Sequence, residues 1–328
     1  MDAGSLTISM PQKLEEMASS LMPELLKPPA TSSRKLLAGG ALAKAADDLR
    51  MMPNEGNKLS EWQKCVQQLT GMLKFPEKVM PILTLPLHRV SCIMARPPPE
   101  ALDVIEGIAA MAYKHRFDGI TYSAGGIGSL PGVGAGTAST INGEPTSSLS
   151  AVGDATYARI ECETAPAPEY ARPVTFPRAG GRDVMGLVVK YNGGAVYHAT
   201  KTIDAVVESS FFAEMHATTR LGEIVEHAHN IATGLGAPVR GHVVLETDNE
   251  ANRRIATGEG NAGRAKHLLR RYSAFRKRVA RGICRPVFVK DEDNMADFLT
   301  KWVPRKKLRT SIDMLTNQRA QRNLASTL

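Results

Sequence analysis

Residues 184–203 read VMGLVVKY, then Asn192-Gly193-Gly194, then AVYHATKTI. Two runs rich in β-branched and apolar residues, joined by an Asn-Gly turn, predict a β-hairpin. SLSAVGDATYA (148–158) reads as a strand ahead of it. A long helix over 209–236 closes on glycines, GHVVLETD (241–248) is a strand, and ANRRIATG (251–258) is a short helix. RAKHLLRRYSAFRKRVARG (264–282) is an amphipathic helix with Leu268, Tyr272, Phe275 and Val279 on one face. RPVFVK (285–290) is a last strand, and DNMADFLTKWV (293–303) a last helix. Three leading strands, a helix, then alternating strands and helices specify one mixed α/β sheet with helices packed on it.

The sequence before residue 148 has a different character. Residues 1–57, rich in Pro, Ser, Ala and Lys, read as a poorly ordered leader with short helical patches. Helices are predicted over 59–74 and over 101–115, the second introduced by the prolines at 97–99. The stretch 123–150 is dense in Gly, Ser and Thr, yet its glycines form neither GxGxxG nor GxxxxGK[ST], so it reads as a linker. A nucleotide-dependent enzyme would rest on that stretch alone. No run approaches the ~18 apolar residues of a membrane span, and the first twenty residues lack the apolar core of a secretory signal. Cys65, Cys92, Cys162 and Cys284 are scattered without a CxxC pair, which points away from a zinc site and towards a reducing, intracellular compartment.

Charge is unevenly placed. The formal net charge is +8, and residues 1–150 are neutral, so the excess lies in the second half. Between 251 and 290 twelve basic residues face one acid, Glu259. Such a stripe suits a polyanion, and a solvated helix face is the plain alternative.

Four acids stand out against the apolar pattern. Glu214 shares a helix face with Phe211, Leu221 and Val225. Asp154 falls in a predicted strand, Asp248 ends VVLET, and Asp297 lies in NMADFLTK. Each alone has an ordinary explanation: Asp248 as a helix cap, Asp297 at a helix N-terminus, Glu214 at a core boundary. Four together in one α/β unit ask for a shared reason, because buried carboxylates repel unless something pairs with them. In VVLETDNEANRR, Glu246 shares a strand face with Asp248, and Glu250 belongs to the first turn of the next helix.

The segments GDATYA, VESSFFAEMHATTR, LETDNEANRRIA, RAKHLLRRYSAFR and NMADFLTK, in that order, resemble the ribonuclease H domain of Ty1/copia-type retrotransposon Pol polyproteins. LTGMLKFPEKVMPIL (69–83) and PPPEALDVIEGIAAMAYKHRFDGITY (97–122) are similar, more loosely, to the end of that family's reverse transcriptase region. The likeness covers about 59–303. It implies a ribonuclease H-like mixed five-stranded sheet with flanking helices, preceded by a small, mostly helical region. The implied organisation is a leader (1–57), a helical connection-like region (58–122), a Gly/Ser-rich linker (123–147), a ribonuclease H-like domain (148–303) and a basic tail (304–328).

By resemblance Asp154, Glu214, Asp248 and Asp297 are the catalytic acids and the ligands of two Mg²⁺ ions, with Mn²⁺ able to substitute. Two such ions would activate a water at an RNA phosphate and stabilise the leaving 3′ oxygen. Asn249, Arg264, Lys266, His267, Arg270 and Arg271 are implied to hold an RNA/DNA hybrid. The remainder of a Pol polyprotein is the implied protein partner, no membrane is expected, and the location is a cytoplasmic retroelement particle or the nucleus. Several departures favour another expectation, a catalytically inactive remnant that binds nucleic acid or a protein. Thr156 replaces a second Asp, 155–183 is a long Pro-rich insertion, and no Y-x-D-D polymerase motif is present.

Overall fold

A computed structural model of the chain describes residues 5–26, 39–53, 58–123, 140–141, 144–157, 183–204, 207, 209–237, 239, 241–260 and 269–317. It divides into two compact units, one containing Ser9–Asp118 and the other built from Met1–Ile8, Gly119–Tyr157 and Val184–Leu328.

The first unit is helical: α1 (Pro11–Leu21), α2 (Gly39–Asp48), α3 (Glu61–Leu73), α4 (Thr84–Ile93) and α5 (Glu100–Lys114). Ser60 starts α3 through a reciprocal capping box with Gln63, which satisfies two backbone N–H groups that a helix end leaves open. Leu14, Met17, Leu69, Leu87 and Ile105 are among the residues of its core. The 1–57 stretch therefore contributes more than a leader: α1 places Leu14 and Met17 at the centre of this unit.

The second unit carries the sheet. Its strands are β1 (Ser5–Ile8), β2 (Ile120–Ser123), β3 (Thr140–Ile141), β4 (Glu144–Ala155), β5 (Val184–Tyr191), β6 (Gly194–Thr202), β7 (His242–Thr247) and β8 (Cys284–Phe288). β1 and β2 form a separate antiparallel ribbon, and β3 is an appendage of β4. The main sheet runs β6-β5-β4-β7-β8, antiparallel across β6, β5 and β4 and parallel across β4, β7 and β8. That is the mixed five-stranded arrangement of a ribonuclease H-like fold. The β5–β6 turn places Asn192 and Gly193 at φ of 46° and 88°, the conformation for which Asn-Gly is chosen.

Helices α6 (Ser210–Gly234), α7 (Glu250–Thr257) and α8 (Leu269–Ala280) cover one face. Leu187, Val189, Leu221, Val225, Leu245, Tyr272 and Phe275 share the core there. The opposite face is covered by the segment 295–315, with Val152, Val188, Phe298, Leu299 and Leu315 packed together.

Here the structure corrects the expected helix over 293–303. Two short 3-10 turns, Asp291–Asp293 and Asp297–Leu299, stand in its place, and the last helix, α9, is Arg305–Thr316. Two local effects explain the shift. Asn294 Oδ1 accepts the Ala296 N–H at 3.0 Å, a side-chain turn that competes with helical bonding. Pro304 disfavours helical geometry in Val303 and sets the start of α9 just beyond it.

Gly186 makes this covering segment fit. A Cβ there would stand 2.8 Å from Leu299 Cβ, 2.9 Å from Thr300 Cγ2 and 3.0 Å from the Ala296 carbonyl. Gly186 is also the residue opposite Asp154 in the β4–β5 ladder, so its missing side chain lets 296–300 press onto the sheet at that carboxylate. Gly186→Ala should destabilise the protein by about 1–3 kcal/mol in urea unfolding through overpacking. Gly234→Ala, where nothing lies within 4 Å, should be neutral or slightly stabilising. Equal effects of the two substitutions would contradict this packing.

Candidate active site

The parallel pairing of β4 and β7 brings their carboxyl ends to one edge of the sheet, the usual position of ligand sites in open α/β sheets. Val152 pairs with Glu246, and two residues further along each strand this register brings Asp154 level with Asp248. α6 crosses beneath with Glu214 one turn from its start, and the Asp297 turn arrives from the other face. Asp154, Glu214 and Asp297 are 2%, 7% and 1% exposed, and Asp248 is half-buried.

Two triads of carboxylates result. Asp154, Glu214 and Asp248 each offer an oxygen within 4.8 Å of the others, and so do Asp248, Asp291 and Asp297. Asp248 belongs to both. Hydrogen bonds fix these groups in place. The Ala155 N–H donates to Glu214 Oε1 at 3.1 Å, and the Thr300 hydroxyl donates to Asp154 Oδ2. Asn294, fully buried, donates to Asp248 and, at 3.5 Å, to the Gly153 carbonyl. Beneath Glu214, Asn252 Nδ2 donates to the Thr218 hydroxyl at 2.5 Å, and Tyr272 OH donates to the Asn252 carbonyl at 2.7 Å. This ties α7 and α8 to the turn of α6 that carries the carboxylate.

The electrostatics follow from burial. Desolvation, then repulsion from Asp154 and Asp248, pushes the Glu214 carboxyl up to about 9. Desolvation and Asp297 push Asp154 up to about 7, against Lys301 and the Thr300 hydroxyl. Asp248 is raised too, chiefly by desolvation, against its bond from Asn294. Glu214 Oε2 is buried without a hydrogen-bond partner, whereas Asp297 Oδ1 has Lys301 Nζ 3.3 Å away. An all-oxygen ligand set, crowded and short of hydrogen-bond donors at Glu214, suits a hard divalent cation such as Mg²⁺. The residues present therefore fit the metal that the resemblance implies.

Of the residues expected to hold nucleic acid, Arg264, Lys266 and His267 lie outside the described residues, as do the side chains of Arg270 and Arg271 at the start of α8. Asn249 caps α7, its Oδ1 accepting the Asn252 N–H at 2.9 Å. Glu250 opens that helix and pairs with Arg253 at 2.8 Å. Glu246 is buried, and desolvation raises it to about 7 against the attraction of Lys190. Sequence reasoning missed Asp291, Lys301 and Lys307. Asp291 was hidden in the acidic run before the expected helix. Lys307 falls in the basic tail expected over 304–328, beyond the expected last helix.

No protein-family model matches the chain, and no curated protein matches it. Among solved structures that match is the crystal structure of LC11-RNase H1 in complex with RNA/DNA hybrid, at 15% identity and a TM-score of 0.31. The match covers 46% of this chain and 92% of that one.

The raised Glu214 pKa fixes the sign of a pH effect. The unfolded carboxyl titrates near 4.5 and the folded one near 9, so folding takes up a proton between them. Its contribution is fully present below the lower value and is lost as pH rises towards the upper one. In EDTA, Glu214→Gln should gain on the parent in thermal stability between pH 5 and pH 8, by at most about 1.4 kcal/mol per pH unit. A gap that stays constant with pH would contradict the assignment.

Proposed function

We propose that this chain is a metal-dependent nuclease of the ribonuclease H type, cutting RNA in RNA/DNA hybrids. The observation that carries the reading is the triad of Asp154, Glu214 and Asp248 within 4.8 Å, with Glu214 Oε2 buried and unpartnered. Divalent ions held by such carboxylates supply an activated water and stabilise charge on the leaving oxygen. The chain's own part is to hold the ligands still. Ala155 orients Glu214, Thr300 orients Asp154, and Asn294 orients Asp248. Asp154, Glu214 and Asp248 would hold one ion, and Asp248 with Asp297 the other.

The order of motifs along the chain supports placing it in a copia-like Pol protein, working in a cytoplasmic particle or the nucleus. Asn249, Arg264, Lys266, His267, Arg270 and Arg271 are assigned to the hybrid backbone on the same basis. Phosphate neutralisation by that group would make binding strongly salt-dependent.

One observation favours the alternative, a remnant that binds without cutting. Asp297 already has Lys307 on one oxygen and Lys301 3.3 Å from the other, so it is satisfied without a metal. Cleavage of an end-labelled RNA/DNA hybrid decides between them. The parent should cut in Mg²⁺ or Mn²⁺, and Asp248→Asn and Glu214→Gln should each lower the rate by at least about a hundredfold. Salt-sensitive binding with no metal-dependent product from the parent would establish the remnant reading instead.

A further inference from the structure

The chain supplies cations of its own at the Asp297 end of the site. Lys307 Nζ contacts Asp297 Oδ2, donates to the Asp291 carbonyl oxygen and lies 3.7 Å from Asp291 Oδ2. Lys301 Nζ lies 3.3 Å from Asp297 Oδ1 and 3.5 Å from Asp291 Oδ1. The Lys307 side chain is only 18% exposed and that of Asp297 1%, so this is a packed ion pair. The other triad feels Lys301 only at a distance, through its charge acting on Asp154. Among the described residues no Lys or Arg forms an ion pair with Asp154, Glu214 or Asp248, and Glu214 Oε2 is left open. The two triads share Asp248 but differ in who neutralises them.

We propose that Lys307 is a tethered counter-ion that occupies the Asp291–Asp297 side of the Asp248–Asp291–Asp297 triad and must be displaced before a divalent ion can enter it. The site then loads unequally: the Asp154–Glu214–Asp248 triad takes its ion readily, and the second position only against the lysine. An ammonium and a divalent cation seek the same oxygens, and they cannot both lie within contact distance of Asp297 Oδ2 without repelling each other. Lys307 can yield because it stands in the first turn of α9 on a four-carbon stem with an exposed edge, whereas Asp297 is locked under the sheet. This inference rests on the metal-dependent reading above and specifies how the same site fills.

The test is Mn²⁺ binding to the full chain, followed by loss of the free-ion electron paramagnetic resonance signal, which needs no turnover. The parent should show one tighter and one weaker ion. Lys307→Met should strengthen the weaker ion by about tenfold, the scale on which groups beside metal ligands change affinity. In EDTA the same variant should melt lower than the parent and recover on adding Mn²⁺, since Asp297 has lost its partner. An isotherm for Lys307→Met that superimposes on the parent's would overturn the proposal while leaving the metal reading intact. If Lys307→Met does not fold without metal, Lys307→Arg carries the test. A guanidinium that can bond a carboxylate twice should weaken the second ion, and a strengthened one would overturn the proposal. No Mn²⁺ bound by the parent, with Asp248→Asn indistinguishable from it, would remove the metal reading and this inference with it.

Discussion

Mutual repulsion among buried carboxylates is the interaction around which the second unit is arranged. Asp154, Glu214 and Asp297 are all less than a tenth exposed, and Asp248 lies between them. Several ionised carboxyls in so small a volume would be prohibitive without compensation. Each is compensated differently. Asp154 has a hydroxyl, Glu214 has one backbone N–H, and Asp297 has two lysines. Where donors run out, at Glu214, the proton itself is retained to higher pH. A proton and an ammonium are thus two answers to one electrostatic problem, and the divalent cation of the proposed function would be a third.

The apolar framework makes that arrangement stable enough to persist. Leu221 and Val225 follow Glu214 along the same face of α6 and are completely buried, as are Leu245 on β7 and Phe275 on α8. Burying side chains of that size contributes about 1.5–3 kcal/mol each, comparable to the cost of a strained polar group. On the opposite face Ala296 and Phe298 flank Asp297 and, with Leu299, hold its turn against Val152 and Val188. The carboxylate is carried into the sheet by the hydrophobic residues beside it. Gly186 is the matching concession from the sheet, a position left bare so that the turn can approach.

The fold was legible in the sequence where periodicity was strong. The hairpin at 184–203, the long helix, the strand ending in Asp248 and the buried face of Tyr272 and Phe275 all follow from spacing, and the structure has them. Legibility failed after residue 290. An apolar pattern of helical period, MADFLTKWV, became a 3-10 turn followed by irregular chain, because Asn294 and Pro304 impose local geometry that periodicity does not register. The loss at the site has the same origin. With a helix assumed through 303, the sequence places Lys301 one turn beyond Asp297 but gives no reason to bring Lys307 back to it. Only the break at Pro304 and the return of α9 do that. The Asp291 contribution was concealed likewise, since an exposed acid in a charge run carries no apolar signal.

The basic surplus also changes meaning once partners are counted. Arg253 is held between Glu250 at 2.8 Å and Glu259 at 2.9 Å, while Arg278 and Arg281 share Glu226 at 2.7 Å and 3.1 Å. These arginines are paired within the fold, Arg253 along α7 and its C-terminal end, and Arg278 and Arg281 of α8 with Glu226 of α6. Arg276 and Lys277 stay exposed on α8. The cation count between 251 and 290 therefore overstates the charge on offer to a polyanion, and it says nothing of the lysines engaged at the acids. A phosphate approaching Asp154 and Asp248 would meet carboxylates first, and it could settle there only once their charge is neutralised. If the acids hold divalent ions as proposed, cation loading and polyanion docking would be one coupled equilibrium, because each ion taken up would lower the repulsion that a phosphate feels.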